Sequence, residues 1–381
     1  RRIPYLFVGS LVAVLVMCLL PNAGSFGMAV STAMIFGLVS LMFLDTSINM
    51  AMQPFKMMVG DMVNEKQKGL AYSIQSFLCN AGSLVGFLFP FIFTWIGISN
   101  IAPQGVVPDS VIYSFYIGAA ILILCVIYTT VKVKEMPPAE YAEYHGITEE
   151  EEKEKINMVK LLVKAPKAFW TVGLVQFFCW FAFMFMWTYT NGSVAANVFD
   201  APTVETAVNG VSKVMLDTKS IQYQDAADWV GVLFAVQAIG SVLWAVCIPL
   251  FKDRKLIYSL SLVLGGLGFI STYFVHNQYV LFISFLLIGC AWAAMLALPF
   301  TILTNALSGG HMGTYLGLFN GTICIPQIVA ASLGGSILAL FTPKGMLPPE
   351  INMLVMAGVM LIIGAVCVYL IKETKGEQTK A

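Results

Sequence analysis

The residues with the most chemistry to offer in this chain lie inside apolar runs. Asp45 falls mid-way along one of them, with Asn49 and Gln53 at i+4 and i+8. Lys56, at i+11, returns to within ~20° of the same helical face, and Pro54 interrupts the backbone hydrogen bonding beside it. If that run crosses a bilayer, a carboxylate at its centre costs at least ~2.5 kcal/mol. It then needs a partner, a proton or a function. The chemistry this predicts for Asp45 is binding of a proton or cation on a face lining a cavity. The alternative is a structural Asp bonded to a neighbouring helix.

Narrow polar and aromatic stripes recur elsewhere. Gln176, Trp180, Trp187 and Asn191 lie within ~60° of one another on a helical wheel. Gln237, Ser241 and Trp244 share a face, as do Ser73, Ser76, Asn80 and Ser83, and as do Asn320, Cys324 and Gln327 beside Pro326. Amides, hydroxyls and indoles in neutral surroundings suit a polyol: rings stack on its apolar faces and amides bond its hydroxyls. The competing role is helix–helix bonding, since Asn, Gln and Ser also join bundles. Four stripes together favour a polar cavity. Candidate solute contacts are therefore Asn49, Gln53, Asn80, Gln176, Trp180, Trp187, Asn191, Gln237, Trp244, Asn320 and Gln327.

Catalytic and metal motifs are missing from the sequence. There is no Walker loop, HExxH or GxSxG. His145, His276 and His311 are scattered, and the eight cysteines fall singly inside apolar runs without a CxxC or Cys/His cluster. They read as small packing residues. An integral-membrane enzyme would need a constellation that the sequence lacks, so no cofactor is expected beyond a coupling proton.

The elements that must position these residues are membrane spans. Of the 381 residues 58% are apolar and 11% charged, with mean hydropathy +0.81 and zero net charge. A soluble surface needs about a quarter charged residues, and a span needs ~20 apolar ones. The reading is an all-α polytopic membrane protein with ten spans: 4–20, 28–59, 70–96, 110–131, 168–190, 229–251, 256–275, 278–306, 313–341 and 352–371. The second, eighth and ninth are long enough to require tilting, kinking or extension into the cytosol. Zero net charge suggests no nucleic-acid partner. The bilayer and a small solute are the expected partners, and a monomer the expected state.

Three of the 21 Lys and Arg residues, Lys213, Lys219 and Lys344, fall on one side of these spans, and the other 18 on the opposite side. The positive-inside bias then makes both ends cytoplasmic. Residues 132–167 are dense in charge, from Glu149 to Glu152 followed by Lys153, Glu154 and Lys155. They read as a cytoplasmic linker dividing an N-terminal bundle (1–131) from a C-terminal one (168–381). Gly82 with Gly86, and Gly265, Gly266 and Gly268, have the spacing of close helix approach.

A weak internal repeat sets the register. Pro54-Phe55 followed by Gly69-Leu70-Ala71-Tyr72 recurs as Pro299-Phe300 followed by Gly313-Thr314-Tyr315, and Arg1-Arg2-Ile3-Pro4-Tyr5 matches Arg254-Lys255-Leu256-Ile257-Tyr258. The first span thus pairs with the seventh. Two spans are expected before Arg1, giving six plus six.

Several stretches resemble one family. The opening Arg1 to Leu6, the Leu44, Asp45, Asn49, Gln53, Pro54 and Asp61 series, the VQFFCWFA run at Val175 to Ala182, and Leu298-Pro299-Phe300 with the HMGTYLGLFN run and Ile325-Pro326-Gln327 are similar to the sucrose-transporter-like branch of the glycoside–pentoside–hexuronide cation symporters. That branch belongs to the major facilitator superfamily. The resemblance implies a major facilitator fold with ten of its twelve helices, and proton-coupled symport of sucrose, maltose or a similar glucoside across the cytoplasmic membrane. It implies proton coupling for Asp45. Residues 70–96 contain no Arg or Lys, where plant members carry an Arg near that acid. A sodium-coupled or drug-exporting member is the rival reading.

The orientation is testable. A cysteine at Glu150, in a background without the eight native ones, should resist an impermeant thiol reagent added to intact cells. Ready labelling would reverse the topology.

Overall fold

The computed structural model describes residues 2–26, 30–62, 65–100, 106–135, 140, 158–208, 211–251, 253–306 and 312–371. Among these, ten helical segments are long and apolar enough to cross a membrane. The elements are α1 (Ile3–Leu19), α2 (Val30–Met62), α3 (Glu65–Trp95), α4 (Asp109–Lys132), α5 (Met158–Val163), α6 (Lys167–Asn197), β1 (Thr203–Val208), β2 (Val211–Leu216), α7 (Ile221–Cys247), α8 (Arg254–Ser271), α9 (Leu281–Ala306), α10 (Met312–Phe319), α11 (Gly321–Phe341) and α12 (Ile351–Cys367). Two compact units result, Arg1–Lys155 and Ile156–Ala381. Most of the charged linker lies outside the described residues.

In the first unit α1 packs on α2 and α4, and α3 on α4. A Cβ on Gly9 would meet the Ser47 carbonyl oxygen at 3.0 Å, so α1 and α2 cross with backbones nearly touching. Both ends of α1 are tied to α4. At one end the Glu135 carboxylate accepts from the Arg2 N–H at 2.6 Å and the Ile3 N–H at 3.2 Å, filling donors that a helix start leaves open. At the other, Asn22 Nδ2 donates to the Tyr116 hydroxyl at 2.7 Å.

The second unit is built around α6, whose buried residues run from Ala168 to Ala195. It packs against α7, α9, α11 and α12, while α8 joins α9 to α12. Glycines set the crossings. Gly289 of α9 rests on the backbone of Gln237 and Ser241 in α7, Gly268 of α8 on Ser284 and Ile288 in α9, and Gly266 of α8 on Gly358 in α12. Helix starts are capped by side chains where the sequence offers them. Ser220 Oγ accepts from the Tyr223 N–H at 3.3 Å, and Asp253 Oδ1 from Lys255 and Leu256 at 2.9 and 3.1 Å, which is the usual N-cap arrangement.

Two expectations need correction. The stretch left between the fifth and sixth spans, 191–228, contains the end of α6, the start of α7 and an antiparallel hairpin, with Val208 opposite Val211. The two residues between the strands are Asn209-Gly210, the pair preferred in two-residue hairpin turns. The ninth span, long enough to need a kink, is interrupted at Asn320, where α10 ends at Phe319 and α11 resumes at Gly321. Thr322 contributes by donating its hydroxyl to the Phe319 carbonyl at 2.7 Å, and Pro326 inside α11 has no N–H to give. The long second and eighth spans instead run on as α2 and α9, with Pro54 and Pro299 inside them. Finally, no described atom lies within 4 Å of a Cβ placed on Gly82 or Gly86, so that spacing carries no helix contact in this unit. Gly265, Gly266 and Gly268 do pack closely.

The crossings make a direct comparison. A Cβ on Gly289 would meet the Gln237 carbonyl oxygen at 2.4 Å and the Ser241 nitrogen at 2.7 Å, both backbone atoms. Gly289→Ala should cost about 1–3 kcal/mol by overpacking. Gly82→Ala should be neutral or stabilise by up to ~1 kcal/mol through helix propensity. Thermal unfolding of the purified variants in detergent measures both, and equal effects would contradict these contacts.

Candidate functional site

The polar stripe of α6 meets α9 at an aromatic cluster. Trp180 and Trp187 stand two turns apart on α6, with ring centroids 6.4 Å apart. Each meets the edge or face of Trp292 from α9, at 5.8 and 5.9 Å and nearly perpendicular. Phe183 backs Trp292 at 4.9 Å and is itself backed by Phe269 of α8 at 5.9 Å. Such edge-to-face pairs contribute ~0.5–1.5 kcal/mol each beyond burial, so the rings hold one another in place. Trp187 remains 41% exposed, which leaves one indole of the cluster open to a ligand.

Two polar atoms beside this cluster are unmet. The Trp180 indole N–H is buried without a hydrogen-bond partner, and so is Gln176 Oε1 one turn away. Gln176 is fixed through its other end, its Nε2 donating to the Met295 carbonyl of α9 at 2.8 Å. An unsatisfied buried donor or acceptor costs ~1–3 kcal/mol. A donor and an acceptor without partners thus lie together beside the edge-to-face indoles.

The other expected residues are placed variously. Asn191 is at the far end of the same stripe, its Nδ2 donating to the Tyr223 hydroxyl of α7 at 2.9 Å. Gln237 is buried at the α7–α9 crossing. Trp244 turns its indole N–H to Ser261 Oγ of α8 at 2.8 Å, a helix–helix contact. Asn320 sits at the break between α10 and α11 and Gln327 on α11, both half-buried.

In the first unit Asp45 is exposed on α2. Asn49 Nδ2 donates to its Oδ1 at 3.2 Å and to its backbone carbonyl at 2.9 Å, so the i+4 spacing does bring these two together. Asn80 is half-buried on α3. Ser83 donates to the Cys79 carbonyl of its own helix. The side chains of Gln53, Lys56, Asp61, Ser73 and Ser76 lie outside the described residues, as does His311.

Trp292 was not among the residues singled out by sequence. It stands in Gly289-Cys290-Ala291-Trp292-Ala293-Ala294, with no polar neighbour to form a stripe, and only the packing of α9 on α6 gives it a role.

Residues 195–381 match the family model of the Major Facilitator Superfamily. Solved structures match nearly the whole chain. A D-xylose–proton symporter superimposes with TM-score 0.69 at 13% identity, over 99% of this chain and 82% of that one. The fold is that of the major facilitator transporters. The fucose:proton symporter of E. coli gives TM-score 0.57 at 12% identity, over 96% and 84% of the two chains. A bacterial homologue of the human lysosomal transporter Spinster, inward-facing and occupied, gives 0.55 at 16%, over 96% and 81%. No curated protein matches the chain by sequence.

Gln176 separates a ligand role from a structural one. Gln176→Leu removes an unsatisfied oxygen costing ~1–3 kcal/mol, but it also strands the Met295 carbonyl, whose i+4 residue Pro299 has no N–H, at a similar cost. Thermal stability should therefore change by no more than about 2 kcal/mol while solute binding falls. Unchanged binding with lower stability would mean that Gln176 only joins α6 to α9.

Proposed function

We propose that this protein is a secondary transporter that carries a sugar across the membrane together with a proton, by alternating access. The observation that carries this reading is the α6–α9 site. Three indoles lie at mutual distances near 6 Å, with an open donor on Trp180 and an open acceptor on Gln176 beside them. Indole faces bind the C–H faces of a pyranose, and the open polar pair orients its hydroxyls. That two matched structures are a xylose–proton and a fucose:proton symporter agrees with it. The sequence resemblance supports the finer choice of a sucrose-transporter-like member, with sucrose, maltose or a similar glucoside as solute.

Asp45 is the proton acceptor in this proposal. Its carboxylate lies mid-way along the span Ser31–Met52 of α2, and the Asn49 amide donates to it. Intramembrane carboxylates commonly mark proton relays.

Uptake of labelled sugars into vesicles, with and without an imposed pH gradient, tests the whole proposal. The expected result is accumulation driven by an inward proton gradient. Sodium-driven uptake would replace the proton, and export of apolar compounds without sugar uptake would replace the substrate class. Asp45→Asn keeps the shape and removes the titratable group. It should abolish gradient-driven accumulation while leaving counterflow partly intact, and equal loss of both would make Asp45 structural. Trp292→Ala should weaken solute binding at least tenfold, on the order of the ~1.4 kcal/mol that a tenfold change represents.

A further inference from the structure

A second titratable site lies at the other end of the α6 stripe, and nothing in the transport proposal uses it. Glu350 immediately precedes α12 in the segment 342–350 that follows α11. Its side chain folds back onto α6. A Cβ on Gly192 would fall 2.4 Å from the Glu350 carboxyl carbon and 2.8 Å from Oε1, and the second oxygen lies closer still. The carboxylate thus occupies the space that any side chain at position 192 would fill.

The surroundings offer it no counter-charge. Among the described residues no hydrogen bond or ion pair reaches the carboxylate. The titratable groups that face it are the hydroxyl-bearing rings of Tyr189 on α6 and Tyr223 on α7. Neither is a cation. The only charged residues of α8 are Arg254 and Lys255 at its far end, and α11 has none. Lys344 of the same segment is exposed and forms no ion pair with it.

The patch is also short of donors. Asn191 Nδ2 is spent on the Tyr223 hydroxyl at 2.9 Å, while Asn191 Oδ1 is buried with no partner. Two carboxylate oxygens and one amide oxygen therefore stand against the two phenolic protons of Tyr189 and Tyr223. One added proton on Glu350 removes the charge and supplies a further donor.

We propose that Glu350 is a proton-binding site that is loaded when α12 is seated on α6, and that losing the proton weakens that seat. The ligand is a proton taken directly from water; no bond other than the carboxyl O–H is formed or broken. Burial pushes the Glu350 carboxyl up to about 7, in the direction expected when only desolvation acts. The sign follows from linkage. A folded carboxyl above its unfolded value binds more protons in the folded state. Its contribution to stability is therefore complete below about 4.5 and lost as pH rises to about 7.

The test is thermal unfolding of the full chain in detergent from about pH 5 to about pH 8.5, with choline as the only added cation. It needs neither solute nor transport, so it stands or falls apart from the transport proposal. Glu350→Gln fixes the neutral form. Its melting temperature should exceed that of the parent by a few degrees above about pH 7, by the scaling of about 2–4 °C per kcal/mol for chains of this order. The excess should shrink as pH falls toward about 5. A pH-independent difference between the two would overturn the proposal. If sodium in place of choline at about pH 8 erases the difference, the ligand is a metal cation and the proton assignment fails. Gly192→Ala supplies an independent arm, because the new methyl must expel the carboxylate. It should abolish the pH-dependent gain from adding Glu350→Gln, and persistence of that gain would place the titrating group elsewhere.

Discussion

In lipid an apolar side chain gains nothing by moving from one hydrocarbon surface to another, so helices must be joined by what lipid cannot supply. In the second unit that is contact between backbones. Gly289 lies on the backbone of α7, Gly268 on that of α9, and Gly266 against Gly358. These contacts fix α8 between α9 and α12, and they fix α9 in turn against α7. Dispersion over such close surfaces does not depend on water. The position of Trp292 opposite Trp180 and Trp187 follows from these contacts, because α9 cannot rotate without lifting Gly289 off Gln237 and Ser241.

The same packing explains why polar atoms can be left unmet. A buried indole N–H and a buried amide oxygen each destabilise the unit, yet both sit where α6 is pinned by α9, α11 and α12. A loosely packed bundle would shift to satisfy them or admit water. Rigid neighbours hold both atoms where they are, and the cost in stability is local.

Much of the fold was legible in the sequence. Ten runs became ten span-length helical segments because hydropathy over ~20 residues reports directly on what lipid tolerates. The Asp45–Asn49 contact was legible too, since i and i+4 are neighbours on any helix. What escaped were properties that only tertiary contact creates. Gly82 and Gly86 have a small-residue spacing that permits close approach, but spacing does not say which face is covered. Trp244 belonged to a polar stripe, yet Ser261 lies on another helix and claims its N–H. Glu350 lies between the ninth and tenth spans, and nothing in Leu347-Pro348-Pro349-Glu350 says that the chain returns its carboxylate to Gly192. The hairpin has a local turn signal in Asn209-Gly210 between β-branched residues, but hydropathy over a span's length does not register it.

The discontinuity at Asn320 divides one crossing into a long rod and a short one. α11 is 21 residues long and seated on α6, whereas α10 has only eight, or about 12 Å of axis. Backbone bonds between Asn320 and Gly317, Ile323 and Cys324 bridge the joint, and the Thr322 hydroxyl adds a bond to the Phe319 carbonyl. Tyr315 and Phe319 both meet Phe169 of α6, and Tyr315 donates its hydroxyl to the Leu161 carbonyl of α5 at 3.2 Å. One short helix thereby moors α5, the last described turn of the charged stretch, to the same α6 that carries the indole cluster.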